Sequence, residues 1–402
     1  MTLLLTVLLG IPALLVALPS LCDLAMALKG LGRRRPEPPR QPPQALLFLI
    51  PAHNEELLVG RAVRSLLAQE YPPELLTVLV VADNCDDGTA QLAREAGAMV
   101  LERASATERG KGHAIGWALD QLELERWAAV VIVDADTILD PAYALELMRW
   151  APLEDRAVQS YDGMSNEFEN WLTRLAGLLT RSRYGIALPI KVGAGLNVPL
   201  TGDGTVLGTG LLRRQPWRVV TITEGWELYA RYSLEGRRIE YAGGAKLFAQ
   251  ETRSLRQSRS QRERWTAGRF AVFRLYWSRI LFAGRAGLLQ RLDLIAELTH
   301  PGPVMRAWIG LAGAGLTVLL QPPGVLIIAL LFASGALQPA FYAGLALLRH
   351  PAPGETLLAL ARLPLYACWR AVVGLRVLVT SGTGFWARTA RHDERLDDSH
   401  KR

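Results

Sequence analysis

Residues 130–141 read V-V-I-V-D-A-D-T-I-L-D-P, and two carboxylates in that run, Asp134 and Asp136, are spaced to do chemistry. Four apolar residues lead straight into them, as in a strand buried on both faces of a parallel sheet. The carboxylates then fall at the strand's carboxyl end, where open α/β sheets bind ligands. One residue apart at such a lip, they can hold a divalent cation. Mg²⁺ prefers one or two carboxylates plus phosphate oxygens, so that cation can in turn hold a diphosphate. The competing reading is a polar turn capping the next helix, which suits Asp140 just before Pro141.

Other stretches supply matching parts. Asp83 ends a second apolar run and can hydrogen-bond a base or ribose, or else serve as a turn aspartate. Arg109-Gly110-Lys111-Gly112 offers two cations and free backbone N–H groups at a helix start, a phosphate cradle in outline. It is not a P-loop, because Gly112 follows Lys111 where Ser or Thr would be needed. Gly202-Asp203-Gly204 and Gly208-Thr209-Gly210 allow close backbone approach to a ligand, although each also reads as ordinary loop. In Gln261-Arg262-Glu263-Arg264-Trp265, Arg can grip phosphate in fork geometry and Trp can stack on a sugar face. A basic surface helix is the bland alternative there. His53 and His113 stand alone, without ligand partners at metal spacing, and read as structural or polar contacts.

The elements that must position these residues follow from periodicity. Strands are expected at 45–50, 77–82, 98–101 and 128–133, with helical patterns at 57–67, 90–96, 112–124 and 142–150 between them. Asn54 is expected to cap the first of these helices. Such alternation implies a parallel sheet with helices on both faces.

Residues 3–22 carry no charge and are long enough to cross a bilayer. They are read as an anchor, not a signal peptide, because the basic residues follow the apolar run. Lys29, Arg33, Arg34, Arg35 and Arg40 place the downstream side in the cytoplasm, and a Pro-rich linker runs to residue 44. Residues 269–302 have an interfacial composition, and 304–320 and 324–348 read as two crossings, with Arg306 snorkelling to the headgroups. Residues 357–380 read as a helix lying on the membrane, because Arg362, Arg370 and Arg376 share one face, with a cytoplasmic tail after it. Net charge is +7 over 402 residues. The arginines cluster beside apolar segments, which points to a membrane surface and not to nucleic acid. Three scattered cysteines, Cys22, Cys85 and Cys368, form neither a disulfide framework nor a metal site.

Taken in order, these motifs resemble the family-2 glycosyltransferases, specifically the membrane-bound branch that includes cellulose, hyaluronan and poly-N-acetylglucosamine synthases. Pro51-Ala52-His53-Asn54-Glu55-Glu56 is similar to the family's opening motif and Asp83 to its base-contacting aspartate. Asp134-Ala135-Asp136 matches its Asp-x-Asp metal motif, and Gln261 through Trp265 fit Gln-x-x-Arg-Trp. The resemblance implies a glycosyltransferase A-type, Rossmann-like α/β domain over 45–268 on the cytoplasmic side, flanked by transmembrane and interfacial helices. It also implies a nucleotide-sugar donor, Mg²⁺ or Mn²⁺ on Asp136 and Asp134, and inversion at the anomeric carbon. Pro51, Glu55, Asp83, Lys111, Asp134 and Asp136 are then expected to bind the donor. Gln261, Arg264 and Trp265 are expected at the diphosphate and acceptor.

One departure stands out. The family writes Thr-Glu-Asp where this chain has Thr223-Glu224-Gly225, and the missing aspartate is the family's general base. An acceptor hydroxyl needs a carboxylate within hydrogen-bond reach. Glu224 is the first expected substitute and Glu227, about a turn away, the second. Restoring an aspartate at 225 is expected to raise the activity of a slow enzyme. The expected function is sugar transfer to a membrane-associated glycolipid, terpenoid or short glycan. A processive exopolysaccharide synthase competes with it, as does a non-catalytic nucleotide-sugar-binding subunit.

Overall fold

The computed structural model describes residues 2–31 and 38–379. Arg33, Arg34, Arg35 and the tail at 388–402, on which part of the topology expectation rests, lie outside the described residues.

Eight strands form one mixed sheet: β1 (Leu46–Ala52), β2 (Leu76–Asp83), β3 (Met99–Arg103), β4 (Ala129–Ile132), β5 (Ile138–Leu139), β6 (Ala157–Met164), β7 (Thr205–Gly208) and β8 (Ile239–Ala249). Their order is β3-β2-β1-β4-β7-β6-β8-β5. The four expected strands are β1 to β4, and they pair in parallel. Period-2 alternation sends Leu47 and Leu49 of β1, with Val130 and Ile132 of β4, into the core on one face. Leu46, Phe48 and Ile50, with Ala129 and Val131, enter the core on the other. Burial on both faces is why these strands read as unbroken apolar runs. The chain moves outward from β1 to β3 and then returns to the far side of β1. The carboxyl ends of β1 and β4 therefore flank a topological switch point, where α/β sheets bind ligands.

The other half of the sheet departs from the expectation. β7 pairs antiparallel with both β4 and β6, and β8 runs parallel to β6 with a register shift at Ser160/Tyr161. Its inward side chains include the polar Gln159 and Ser160, both fully buried. Gln159 donates to the Asp203 carbonyl at 2.8 Å and accepts from the Thr201 N–H at 3.0 Å, while Ser160 meets the Tyr143 hydroxyl at 2.7 Å. Asn54 does not cap the following helix, which starts at Val59 with Leu58 as its N-cap. It sits instead at φ +54°, and its side chain accepts the Asp86 N–H.

Among the described residues, three helices are long and apolar enough to cross a membrane: Thr2–Gly30, Pro303–Leu320 and Val325–Leu348. The last two pack closely, since a Cβ on Gly310 would stand 2.5 Å from the Phe332 carbonyl oxygen. Arg306 does not snorkel. It is 5 % exposed and donates to Gln338, which donates on to Asp23 of the first helix. A partner on the neighbouring helix holds it inside the bundle, where an unpaired charge would be costly. The expected surface helix at 357–380 is a pair, Pro353–Leu360 and Leu363–Val377, bent by 54° and able to count as one broken span. The expected boundary at 268/269 falls inside one continuous helix, Leu255–Ser278, whose N-cap Ser254 accepts the Gln257 N–H at 3.3 Å.

Candidate active site

A cleft of about 680 Å³ opens at the switch point and runs toward the membrane helices. Its walls include Pro51, Glu55, Lys111, Asp134, Asp136, Glu224, Gln261, Arg264 and Trp265, so nine of the expected site residues meet there. β1 delivers Pro51 and leads into Glu55, and β4 leads into Asp134 and Asp136. The helix Lys111–Asp120 begins at the cleft after Gly110 at φ +125°, and its first N–H groups have no partners within the helix.

The polar end is held by one lysine among carboxylates. Lys111 Nζ lies 2.5 Å from Asp134 Oδ1 and 3.3 Å from Glu224 Oε1. Burial pulls this ammonium down, but Asp134, Glu224 and Asp203 outweigh that and hold it above its ordinary value. Asp203, which the sequence offered only as part of a glycine-dense loop, organises the floor. Its Oδ1 accepts the Asp134 and Gly204 N–H groups at 3.0 Å, and its Oδ2 accepts the Thr137 hydroxyl at 2.6 Å. Gly202 and Gly204 on either side sit at φ +99° and +64°, which explains the glycines. Burial and then Asp134 push the Asp203 carboxyl up to about 7, against the pull of Lys111. Asp162 on β6 also lines the cleft. Burial and the carboxylates of Asp203, Asp134 and Asp136 push it well above its usual range. Sequence reasoning missed Asp162, because its strand carries no apolar alternation to reveal it.

The two expected base candidates part company. Glu224 opens the helix Glu224–Leu234 and faces the cleft beside Lys111. Glu227 does not line the cleft. It is 2 % exposed, and its Oε2 accepts the N–H groups of Val220 and Thr221 at 3.0 and 2.8 Å. It braces the segment before the helix. Gly225 lies against backbone, since a Cβ there would stand 2.6 Å from both Gly202 N and the Leu200 carbonyl oxygen.

Asp83 stands behind the wall. It is fully buried, and Arg103 donates to its Oδ1 at 2.7 Å. Its Oδ2 is buried with no hydrogen-bond partner among the described residues. His53, whose ring meets the Asp83 carbonyl at 2.8 Å, lies between it and the cleft. Arg103 carried no motif that would have marked it.

At the membrane end, Trp265 is 44 % exposed and stacks under the Arg262 guanidinium at 4.7 Å. Gln261 keeps a buried Oε1 with no partner among the described residues. Leu172, Leu175, Leu179, Val304 and Met305 form an apolar wall. Tyr366 and Arg370, contributed by the last described helix, complete it.

Among the described residues, no three His, Cys, Asp or Glu side chains form a ready-made metal cage. The donor set at the polar end still fits a hard cation. Four carboxylates, Asp134, Asp136, Asp162 and Asp203, influence one another at this end, and two of them with phosphate oxygens match the ligands Mg²⁺ takes.

A beta-monoglucosyldiacylglycerol synthase of Trichormus variabilis is 27 % identical over 264 residues, covering 62 % of this chain and 53 % of its own length. This chain thus spans about half the length of that relative. A 4,4'-diaponeurosporenoate glycosyltransferase of Staphylococcus aureus is 34 % identical over 96 residues, 23 % of this chain and 24 % of its own. Among solved structures, a mannosyltransferase from Pyrobaculum calidifontis in complex with GDP-Man and Mn²⁺ superposes with a TM-score of 0.57 at 18 % identity. The superposition covers 93 % of this chain and all of that one, and shows a shared glycosyltransferase A-type fold. The sequence profile described as "Glycosyltransferase like family 2" matches residues 42–268, more than half the chain, and with Asp134-Ala135-Asp136 and Gln261 through Trp265 inside that match the chain belongs to the family-2 glycosyltransferases.

Proposed function

We propose that this protein moves a sugar, with inversion, from a nucleotide diphosphate sugar to an amphiphilic acceptor at a cytoplasmic membrane face. The observation that carries the proposal is the continuity of the cleft from Asp134 and Asp136 to the apolar wall of Leu172, Leu175, Val304 and Met305. A donor diphosphate fits one end and an apolar tail the other. The relatives' names, a diacylglycerol lipid synthase and a terpenoid-acid glycosyltransferase, support a lipid acceptor.

In this reading Lys111 and the N–H groups at the start of its helix receive the diphosphate. Asp203 fixes the Asp134 backbone, so the carboxylates keep their aim before substrate arrives. Asp134 and Asp136 would hold Mg²⁺ or Mn²⁺, which neutralises charge on the leaving diphosphate. Pro51 and Glu55 line the donor pocket, and Asp83, buried behind that wall with an unsatisfied Oδ2, is assigned to the base side. Gln261, Arg264 and Trp265 stand between donor and acceptor. For an acceptor hydroxyl, Glu224 is the carboxylate able to take the proton, since Glu227 is committed to backbone.

The test incubates the full chain, in lipid nanodiscs with a bacterial lipid extract, with a panel of labelled nucleotide sugars and Mg²⁺ or Mn²⁺. An organic-soluble labelled product that EDTA abolishes is expected. A water-soluble polymer would instead favour a processive synthase, and donor binding without transfer would favour a binding subunit.

A further inference from the structure

The membrane end of the cleft holds more cations than its carboxylates neutralise. Arg183, Arg262, Arg269 and Arg370 all line it. Arg262 pairs with Glu251 at 2.8 Å and Arg183 with Glu297 at 3.4 Å. The hydrogen bonds of Arg269 go to the Glu297 and His300 carbonyls at 3.3 and 3.1 Å and to the His300 ring at 3.4 Å. Arg370 donates to the Pro301 carbonyl at 3.4 Å, and its Nη1 is buried with no partner among the described residues. Arg183 and Arg269 both lie against the Trp226 ring, at 5.5 and 5.7 Å, so two like charges are gathered around one aromatic side chain. A guanidinium fork of this kind is built for a carboxylate or a phosphate.

Among the described residues, the groups on the acceptor side that could act as a base are already engaged: Glu251 pairs with Arg262, and the His300 ring accepts the Gly302 N–H and meets Arg269. Backbone at Leu200 and Gly202 occupies the place of a side chain at Gly225. Glu227 is bound to two N–H groups, and Glu224 is a counter-ion of Lys111. Asp134, Asp136, Asp162 and Asp203 belong to the diphosphate end. In an inverting displacement the acceptor enters from the face opposite the leaving group, away from them.

We propose that the acceptor is an acidic amphiphile whose own ionised oxygen, a carboxylate or a phosphate monoester, is the nucleophile, with Arg269 and Arg370 holding that headgroup. This rests on the transferase reading above. The oxyanion forms a bond to the anomeric carbon, and the bond from that carbon to the diphosphate oxygen breaks. The nucleoside diphosphate leaves with the electron pair. No proton moves, so no general base is needed. The product is a glycosyl ester or a glycosyl phosphate.

The experiment uses the full chain in nanodiscs with a nucleotide sugar that it binds and three acceptors of matched acyl chains: a long-chain carboxylic acid, phosphatidic acid and diacylglycerol. An acidic acceptor should be glycosylated at least about tenfold faster than diacylglycerol. A product cleaved by hydroxylamine identifies the carboxylate, and one cleaved by mild acid identifies the phosphate. Loss of rate at low pH should follow the acceptor's own pKa when a more acidic analogue is used. Arg269→Met and Arg370→Met should each raise the acceptor KM by about tenfold or more, the worth of a charged hydrogen bond, with the donor KM within about twofold. Transfer to diacylglycerol alone, donor binding without transfer to any of the three, or variants that raise the donor KM instead would each overturn the proposal. Failure to bind any nucleotide sugar would overturn the transferase reading itself.

Discussion

Gly225 packs against the backbone of Leu200, so closely that a Cβ there would meet the Leu200 carbonyl oxygen at 2.6 Å. The sequence suggested that an aspartate at this position would rescue a slow enzyme. This packing argues against that expectation, because the neighbour is main chain and cannot swing aside. Gly225→Asp and Gly225→Ala should both lower stability, by about 1–3 kcal/mol as overpacked sites do, and neither should raise activity. Thermal unfolding of the solubilised variants checks this, and a faster Gly225→Asp enzyme would contradict it.

The carboxylates after β4 give the second prediction. Asp136→Asn removes one charge from the candidate cation site. Nucleoside diphosphate binding that depends on Mg²⁺ or Mn²⁺ should fall together with transfer. Calorimetric titration with and without the cation measures it. Binding whose cation dependence is unchanged would remove Asp136 from the site.

Glu224 and Glu227 should fail in different ways. If Glu224 serves as the counter-ion of Lys111, Glu224→Gln lowers the rate by less than about tenfold, whereas loss of a general base typically removes about 10²–10⁴. Single-turnover kinetics at saturating donor separates the two. Glu227→Ala strands the N–H groups of Val220 and Thr221, and should cost roughly 1–3 kcal/mol of stability, with activity falling in step.

His300 sets a pH limit on the fold. Burial holds it down to about 4, with help from Arg269 and Arg306 and against the pull of Glu297. An unfolded histidine titrates near 6.5. The folded state therefore refuses a proton that the unfolded state accepts. The stability is fully present above 6.5 and is lost as pH falls toward 4, by at most about 3 kcal/mol. His300→Gln should flatten this limb of the unfolding temperature against pH, and an unchanged slope would assign the limb elsewhere.

The parallel half of the fold was legible because β1, β2 and β4 are buried on both faces and so appear as apolar runs. β6, β7 and β8 were not, because Gln159 and Ser160 point inward and are satisfied by side-chain hydrogen bonds that no periodicity announces. In the site, Asp134, Asp136 and Lys111 were readable from residue type and from their place after strands or before a helix. The direct contact of Lys111 with Asp134 and Glu224 was not, since it depends on how the helices fold over the sheet. Arg269 and Arg370 read as surface or interfacial charges, because each belongs to a long mixed helix whose inward face shows only in the packed chain. Arg306 was misplaced for the same reason, its partner Gln338 lying on another helix.

Tyr366 and Arg370 close the cleft from the last described helix, while the sheet that carries Asp134 is complete at Ala249. The order of synthesis therefore separates the two halves of the site. At ordinary elongation rates, on the order of ten seconds pass between emergence of the last strand and emergence of Arg370. During that interval the nascent chain can shape a donor pocket with no acceptor wall, and an anomeric carbon held there would face water. On the proposed function, the site is finished only once the C-terminal helices have packed beside the sheet domain, and their arrival would be the step that turns a nucleotide-sugar hydrolase into a transferase.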